Sequence, residues 1–272
     1  MSSDATCSIQ NSLQDYCFFL PFLELFPVGE MQIDGEELYL ATRLYLAALR
    51  AGLLGLQVDL LVYLRVQILS CIRRGPVNVG EVAVMVILAL YSPLLLGDTA
   101  EELQLGAFDL LTAASTASRR LGLDETPAMM QRWEHAPHLV PPDLIRKCSL
   151  WITIAHVSTF NSMGSNIYQP LLLECPLEDI KYVESFCKRL LKTTSTLPLS
   201  GQVSLLLLVT YRHRCLMQIR LVIVTQIAEL EAMHVFPASQ AEAKIVTGLP
   251  KALALAKSLL NELKDLQKNL CE

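Results

Sequence analysis

The sequence has no Cys-x-x-Cys pair, no glycine-rich phosphate loop and no long run of Lys or Arg. Each absence removes a class of function. Its eight cysteines are Cys7, Cys17, Cys71, Cys148, Cys175, Cys187, Cys215 and Cys271. They are scattered through apolar patterns, where a free thiol behaves as a small hydrophobe rather than as a metal ligand. Phosphate-backbone contact needs concentrated positive charge, and the chain carries a net charge of −5, so direct nucleic-acid contact is not expected. A nucleotide-cradling loop, a GxSxG elbow and an HExxH helix are all missing. No pair of carboxylates sits in an apolar context that would set up acid–base work. The chain is therefore expected to bind other molecules rather than to be an enzyme, with no cofactor and no metal.

Charge and aromatic residues are also scarce, at 18% and 7% of the 272 residues. An ordinary soluble domain is about 25% charged. Hydrophobic residues make up 52%, and mean hydropathy is +0.39. Such a chain has an unusually large buried fraction or leaves apolar surface for a partner. The cysteine usage fits reduced thiols in the cytosol or nucleus. The most membrane-like run, Val82 to Leu96, contains Pro93 and is too short for a span of about 20 residues. No membrane association is expected.

Apolar residues recur at spacings of three and four, and alternating segments are absent, so the fold is expected to be all-α. Helices are expected over Ser12–Phe26, Glu36–Leu54, Val58–Arg73, Val82–Tyr91, Asp98–Leu121, Leu144–Met163, Leu177–Thr194, Ser200–Val235 and Ala238–Leu270. Asp34 is the expected N-cap of the second and Gly55 its stop. Val82–Tyr91 is apolar on every face, which marks a central buried element. The remainder is expected to stack around it as antiparallel helix pairs in one domain spanning 1–272. Residues 1–11 are expected to be disordered. The segment 126–142, with Pro127, Pro137, Pro141 and Pro142, is expected to be a long surface loop. His135 and His138 beside Glu134 in that segment are expected to be solvent-exposed rather than zinc-binding.

The helix around Leu144–Met163 mixes bulk with polarity. Trp151, Ala155, Ser158 and Ser162 share one face, and His156, Thr159 and Asn161 place hydrogen-bonding groups beside it. Tyr168, in the loop after Gly164, extends the group as a rim. A pocket needs such a mixture. The competing account makes Trp151 a core anchor, His156 a satisfied core histidine, and the polar residues bonded to backbone or water. Arg212-His213-Arg214 is read as the wet side of a long helix, with an anion contact as the alternative.

Three stretches carry a resemblance. One is Val86-Ile87-Leu88-Ala89-Leu90-Tyr91 with Gly106, Leu111 to Ala117 and Arg120-Leu121-Gly122-Leu123-Asp124. The second is Ile145-Arg146-Lys147-Cys148-Ser149-Leu150-Trp151. The third is Leu13-Gln14-Asp15-Tyr16 through Leu20-Pro21-Phe22. Together they resemble the fungal-specific transcription factor domain, the middle homology region of binuclear zinc cluster regulators. The resemblance covers residues 10 to 175, and more loosely the rest. Positions 156–166 lack the family's Asp-Arg pair and its Gly-Arg-Pro, although Gly164 stands near the latter. The six-cysteine zinc cluster is absent. The resemblance implies an all-α regulatory domain in a nuclear factor, sensing a small-molecule effector or restraining activation, often as a homodimer. A ligand-free scaffold or dimerisation module, and a helical carrier or enzyme with an apolar tunnel, are the competing functions.

Overall fold

Val82 to Leu88 has no polar face to offer water, and the fold is built around it. The computed structural model describes residues 36–91, 106–165, 175–193 and 200–232, with 250, 253–262, 264–265 and 268 near the C-terminus. The expectations for residues 1–11, Ser12–Phe26, Asp34, Asp98, Tyr168 and 233–249 lie outside these. The described residues are helical without strands. Their elements are α1 (Glu36–Ala51), α2 (Leu54–Arg74), α3 (Val79–Tyr91), α4 (Ala107–Arg120), α5 (Thr126–Gln131), a 3-10 turn (Pro137–Leu139), α6 (Pro142–Ser165), α7 (Leu177–Thr193) and α8 (Ser200–Ala232). The fold is all-α, and every residue from Gly80 to Leu88 of α3 is buried.

Packing follows the expected pairing in part. The sequential pairs α1/α2, α3/α4 and α7/α8 lie against each other, and α3 also meets α1 and α6. The main partner of α6, however, is α8, two elements further on. The first half of the 33-residue α8 thus runs between α6 and α7, and Leu206 to Tyr211 is buried throughout. Residues 253–262 form a further helical stretch. Its Leu259 is buried with Tyr211 and Cys215, and its Glu262 accepts a hydrogen bond from the Tyr211 hydroxyl.

Three features correct the sequence expectation. The helix expected over Asp98–Leu121 is interrupted at Gly106, whose extended backbone caps the start of α4. Gly52, not Gly55, ends α1. It takes φ +67, where a side chain is strained, and lets Leu53 N–H reach the Ala48 carbonyl at 3.0 Å. Gly55 lies in the first turn of α2. The expected loop 126–142 contains α5 and the 3-10 turn. Its prolines begin elements rather than break them: Pro127 opens α5, Pro137 the 3-10 turn and Pro142 α6. A first-turn proline loses no intrahelical bond. His135 and His138 are exposed, and Glu134 lies within hydrogen-bonding distance of Arg189 of α7, at 3.3 Å.

A buried acid pins the α2–α3 corner. Glu81 is 3% exposed. Its carboxylate accepts the Val77 N–H at 2.9 Å and pairs with Arg74, while Asn78 Oδ1 accepts the Glu81 N–H at 2.9 Å. Cys71, Cys148, Cys175, Cys187 and Cys215 are buried free thiols. On the opposite side of α2 from its core residues Leu64, Ile68 and Cys71, Leu54, Val58, Val62 and Val66 are all exposed, Val62 by 61%. Among the described residues α2 is the one helix long and apolar enough to cross a membrane.

Candidate functional site

Of the residues singled out on α6, most belong to the core. Trp151, Ala155, Ser158 and Thr159 are buried. Thr159 donates to the Ala155 carbonyl at 2.8 Å and faces the Met217 sulfur of α8 at 3.9 Å. Ser162 donates to the Thr159 carbonyl at 2.9 Å. Asn161 is half-buried. His156 is the one of this group that lines a described cavity.

That cavity, about 350 Å³, opens where the end of α3 meets α6 and α8. Leu90 and Tyr91 come from α3, His156, Val157 and Phe160 from α6, and Arg212 from α8. The Tyr45 hydroxyl of α1 donates to the Tyr91 carbonyl at 3.1 Å and fixes that end of α3. Phe160 is 63% exposed and stands at the mouth of the cavity. The volume falls within the range of small-molecule sites, and its apolar walls with few polar groups match their usual composition.

The polar side of the cleft is electrostatically unusual. Behind His156 sits His213, its ring edge-on at 6.1 Å between centroids. His213 is 1% exposed, and neither ring nitrogen has a hydrogen-bond partner. Nδ1 of His156 is likewise sealed from water and unpartnered. Burial, then the positive charge of Arg212 and the second ring, push the His156 pKa down to about 3. Burial alone pushes that of His213 down to about 4. Both rings are neutral at pH 7, each offering one donor and one acceptor. Burial also lowers the pKa of Arg212, because a partly desolvated cation is disfavoured.

The triplet at 212–214 corrects the expectation of a wet face. Arg212 lines the cleft, His213 is core, and Arg214 lies 2.8 Å from Glu184 of α7, stacked over Tyr211. The reason is the position of this part of α8 between two helices, which leaves His213 buried and both arginines half-buried. Leu90, Tyr91, Phe160 and Arg212 were not singled out as a group. They converge from three helices, and spacing within one helix cannot show that.

A larger groove of about 600 Å³ lies between α5 and the start of α6, with Met129, Arg132, Trp133, Asp143 and Lys147 along it. Two of its charges satisfy each other: Lys147 pairs with Asp143 at 2.8 Å, both well exposed. The smaller cleft, with its buried polar rings, is the better candidate. Among the described residues no cluster of His, Cys, Asp and Glu is arranged to hold a metal ion. The chain matches no family model, and neither curated proteins nor solved structures show a match to it.

Proposed function

We propose that this chain is a ligand-sensing regulatory module, not an enzyme, and that its effector site is the cleft between α3, α6 and α8. The observation that carries this is the pairing of apolar walls (Leu90, Val157, Phe160) with half-buried polar groups (His156, Arg212) in one cavity of suitable size. The setting proposed is the regulatory domain of a fungal transcription factor, acting in the nucleus without touching DNA itself. The sequence resemblance supports that setting: its LALY-like string ends at Leu90-Tyr91, and its basic-apolar-Trp string opens the helix that bears His156. Net negative charge supports the absence of nucleic-acid contact.

The test is a thermal-shift screen against a metabolite panel, because a ligand that binds only the folded state raises its stability. At least one compound should stabilise the protein saturably, and Phe160→Ala, at an exposed position, should weaken that effect without unfolding the chain. A screen with no stabilising compound, or stabilisation indifferent to Phe160, would remove this reading.

The exposed stripe on α2 favours a second, compatible reading, a homodimer. A two-fold axis makes an interface self-complementary. With the axis at Val62 and the helices antiparallel, Val58 of one copy meets Val66 of the other. Light scattering should then give a dimer for the native chain and a monomer for Val62→Glu. A native monomer across the accessible concentration range would refute it.

A further inference from the structure

We infer that the cleft takes a small, uncharged, apolar molecule bearing one hydroxyl, which bonds Nε2 of His156 while the apolar body lies along Leu90, Val157 and Phe160. This rests on the cleft being the effector site and deepens that reading by naming the ligand's chemistry.

The polar contact is set by His156. Its ring lines the cavity, and its Nδ1 is sealed from water without a hydrogen-bond partner. A ligand can therefore meet this ring only at Nε2. The imidazole is neutral, so Nε2 is a donor in one tautomer and an acceptor in the other. A hydroxyl is both donor and acceptor and fits either tautomer, whereas a carbonyl or an ether fits one alone. The cation in the wall calls for no partner from outside. Arg212 already has an interaction within the fold, so its charge does not wait for a counter-ion. A ligand with a full charge of either sign would leave water for the side chains of Leu90, Val157 and Phe160. Those return none of its hydration, and such burial is costly. An uncharged body meets no such penalty and is driven onto the same walls by the removal of apolar surface from water. The volume of about 350 Å³ sits near the lower end of the usual range of about 300–1,000 Å³, so the ligand is compact, with one ring or a short chain.

The experiment uses the full chain and four single-ring probes: benzyl alcohol, toluene, benzoate and benzylammonium. Titration followed by nuclear magnetic resonance should show benzyl alcohol binding at least about tenfold tighter than either ion, because neither ion regains its hydration in the cleft. His156→Leu should weaken benzyl alcohol about tenfold, since the hydroxyl then lies buried without a partner, and should leave toluene within about twofold. His156→Gln, which offers both a donor and an acceptor, should recover part of the alcohol's affinity. Phe160→Ala should weaken benzyl alcohol and toluene alike. Benzoate or benzylammonium binding as tightly as benzyl alcohol, in a manner that Phe160→Ala weakens, would overturn the uncharged class and leave the site standing. Benzyl alcohol and toluene responding equally to His156→Leu would overturn the hydroxyl contact and likewise leave the site standing. Binding of none of the four, or binding that Phe160→Ala does not touch, would overturn both. Should His156→Leu fail to fold, His156→Phe makes the same comparison without a hydrogen-bonding group.

Discussion

Lowering the pH from 7.5 to 5 should destabilise this protein through two histidines that stay neutral in the fold. An unfolded histidine titrates near 6.5, whereas His156 and His213 titrate at about 3 and about 4 in the structure. The unfolded state therefore binds more protons, and stability rises with pH. The loss begins as pH falls below the unfolded value and continues until the folded values are reached. Between pH 7.5 and 5 each unfolded histidine gains a proton that its folded counterpart refuses, worth about 2 kcal/mol apiece and about 4 kcal/mol together. That is a large share of a typical folding stability of about 5–15 kcal/mol. His213→Leu isolates the effect. Urea unfolding of native and variant chains at both pH values should show the variant losing about 2 kcal/mol less on acidification, since carboxylate contributions are common to both. At pH 7.5 the variant should also be more stable, because it removes two unmet polar groups from the core, a gain of about 1 kcal/mol or more. Equal losses in the two chains, or a variant markedly weaker at pH 7.5, would mean that the His213 ring has hydrogen-bond partners and that its burial is not the source of the shift.

Other perturbations probe the frame around the site. Ile87→Asp places an unpaired charge at the centre of α3, where exposure is zero, and should cost several kcal/mol, about 4 or more; a soluble variant with an unchanged melting temperature would show that α3 is peripheral. Glu81→Ala leaves the Val77 N–H without its acceptor and removes the carboxylate partner of Arg74; it should cost about 1–3 kcal/mol by denaturant titration, with a null effect refuting the corner's role. Gly122→Ala meets no atom within 4 Å but must hold φ +66, so it should cost about 1 kcal/mol from backbone strain alone. A neutral result there would mean the turn readily readjusts.

The all-helical fold was legible because burial imposes periodicity. Val82 to Leu88 could only be core, and its buried neighbours recur at helical spacing. The candidate cleft was legible at one residue. His156 was singled out for placing a hydrogen-bonding group beside the face that carries Trp151, Ala155 and Ser158, but that face itself turned inward. The middle of α6 is buried from Cys148 to Ala155 and again from Val157 to Thr159, so its composition cannot mark which narrow strip meets the cleft. Arg212 was legible as a charge but not as a wall of that cleft. Long polar side chains on a helix packed on two sides reach for whatever opening is near, and the opening here is made by α3 and α6, far away in sequence. The same holds for His156 and His213, whose meeting is purely tertiary. The prolines of 126–142 misled because proline ends one helix and opens the next with equal ease.

The buried cysteines give the chain a set of internal clocks. A thiol reacts as its thiolate, and burial both hides Cys148, Cys175 and Cys187 and pushes their pKa values up. Alkylation at any of them must wait for the surrounding helices to part. Cys148 reports on α6, Cys187 on α7, Cys71 on α2 and Cys215 on α8, so the order in which they take up label in the native state is the order in which those helices open. A ligand in the cleft would hold α6 and α8 shut together, slowing labelling at Cys148 and Cys215 while leaving Cys71 on its own schedule.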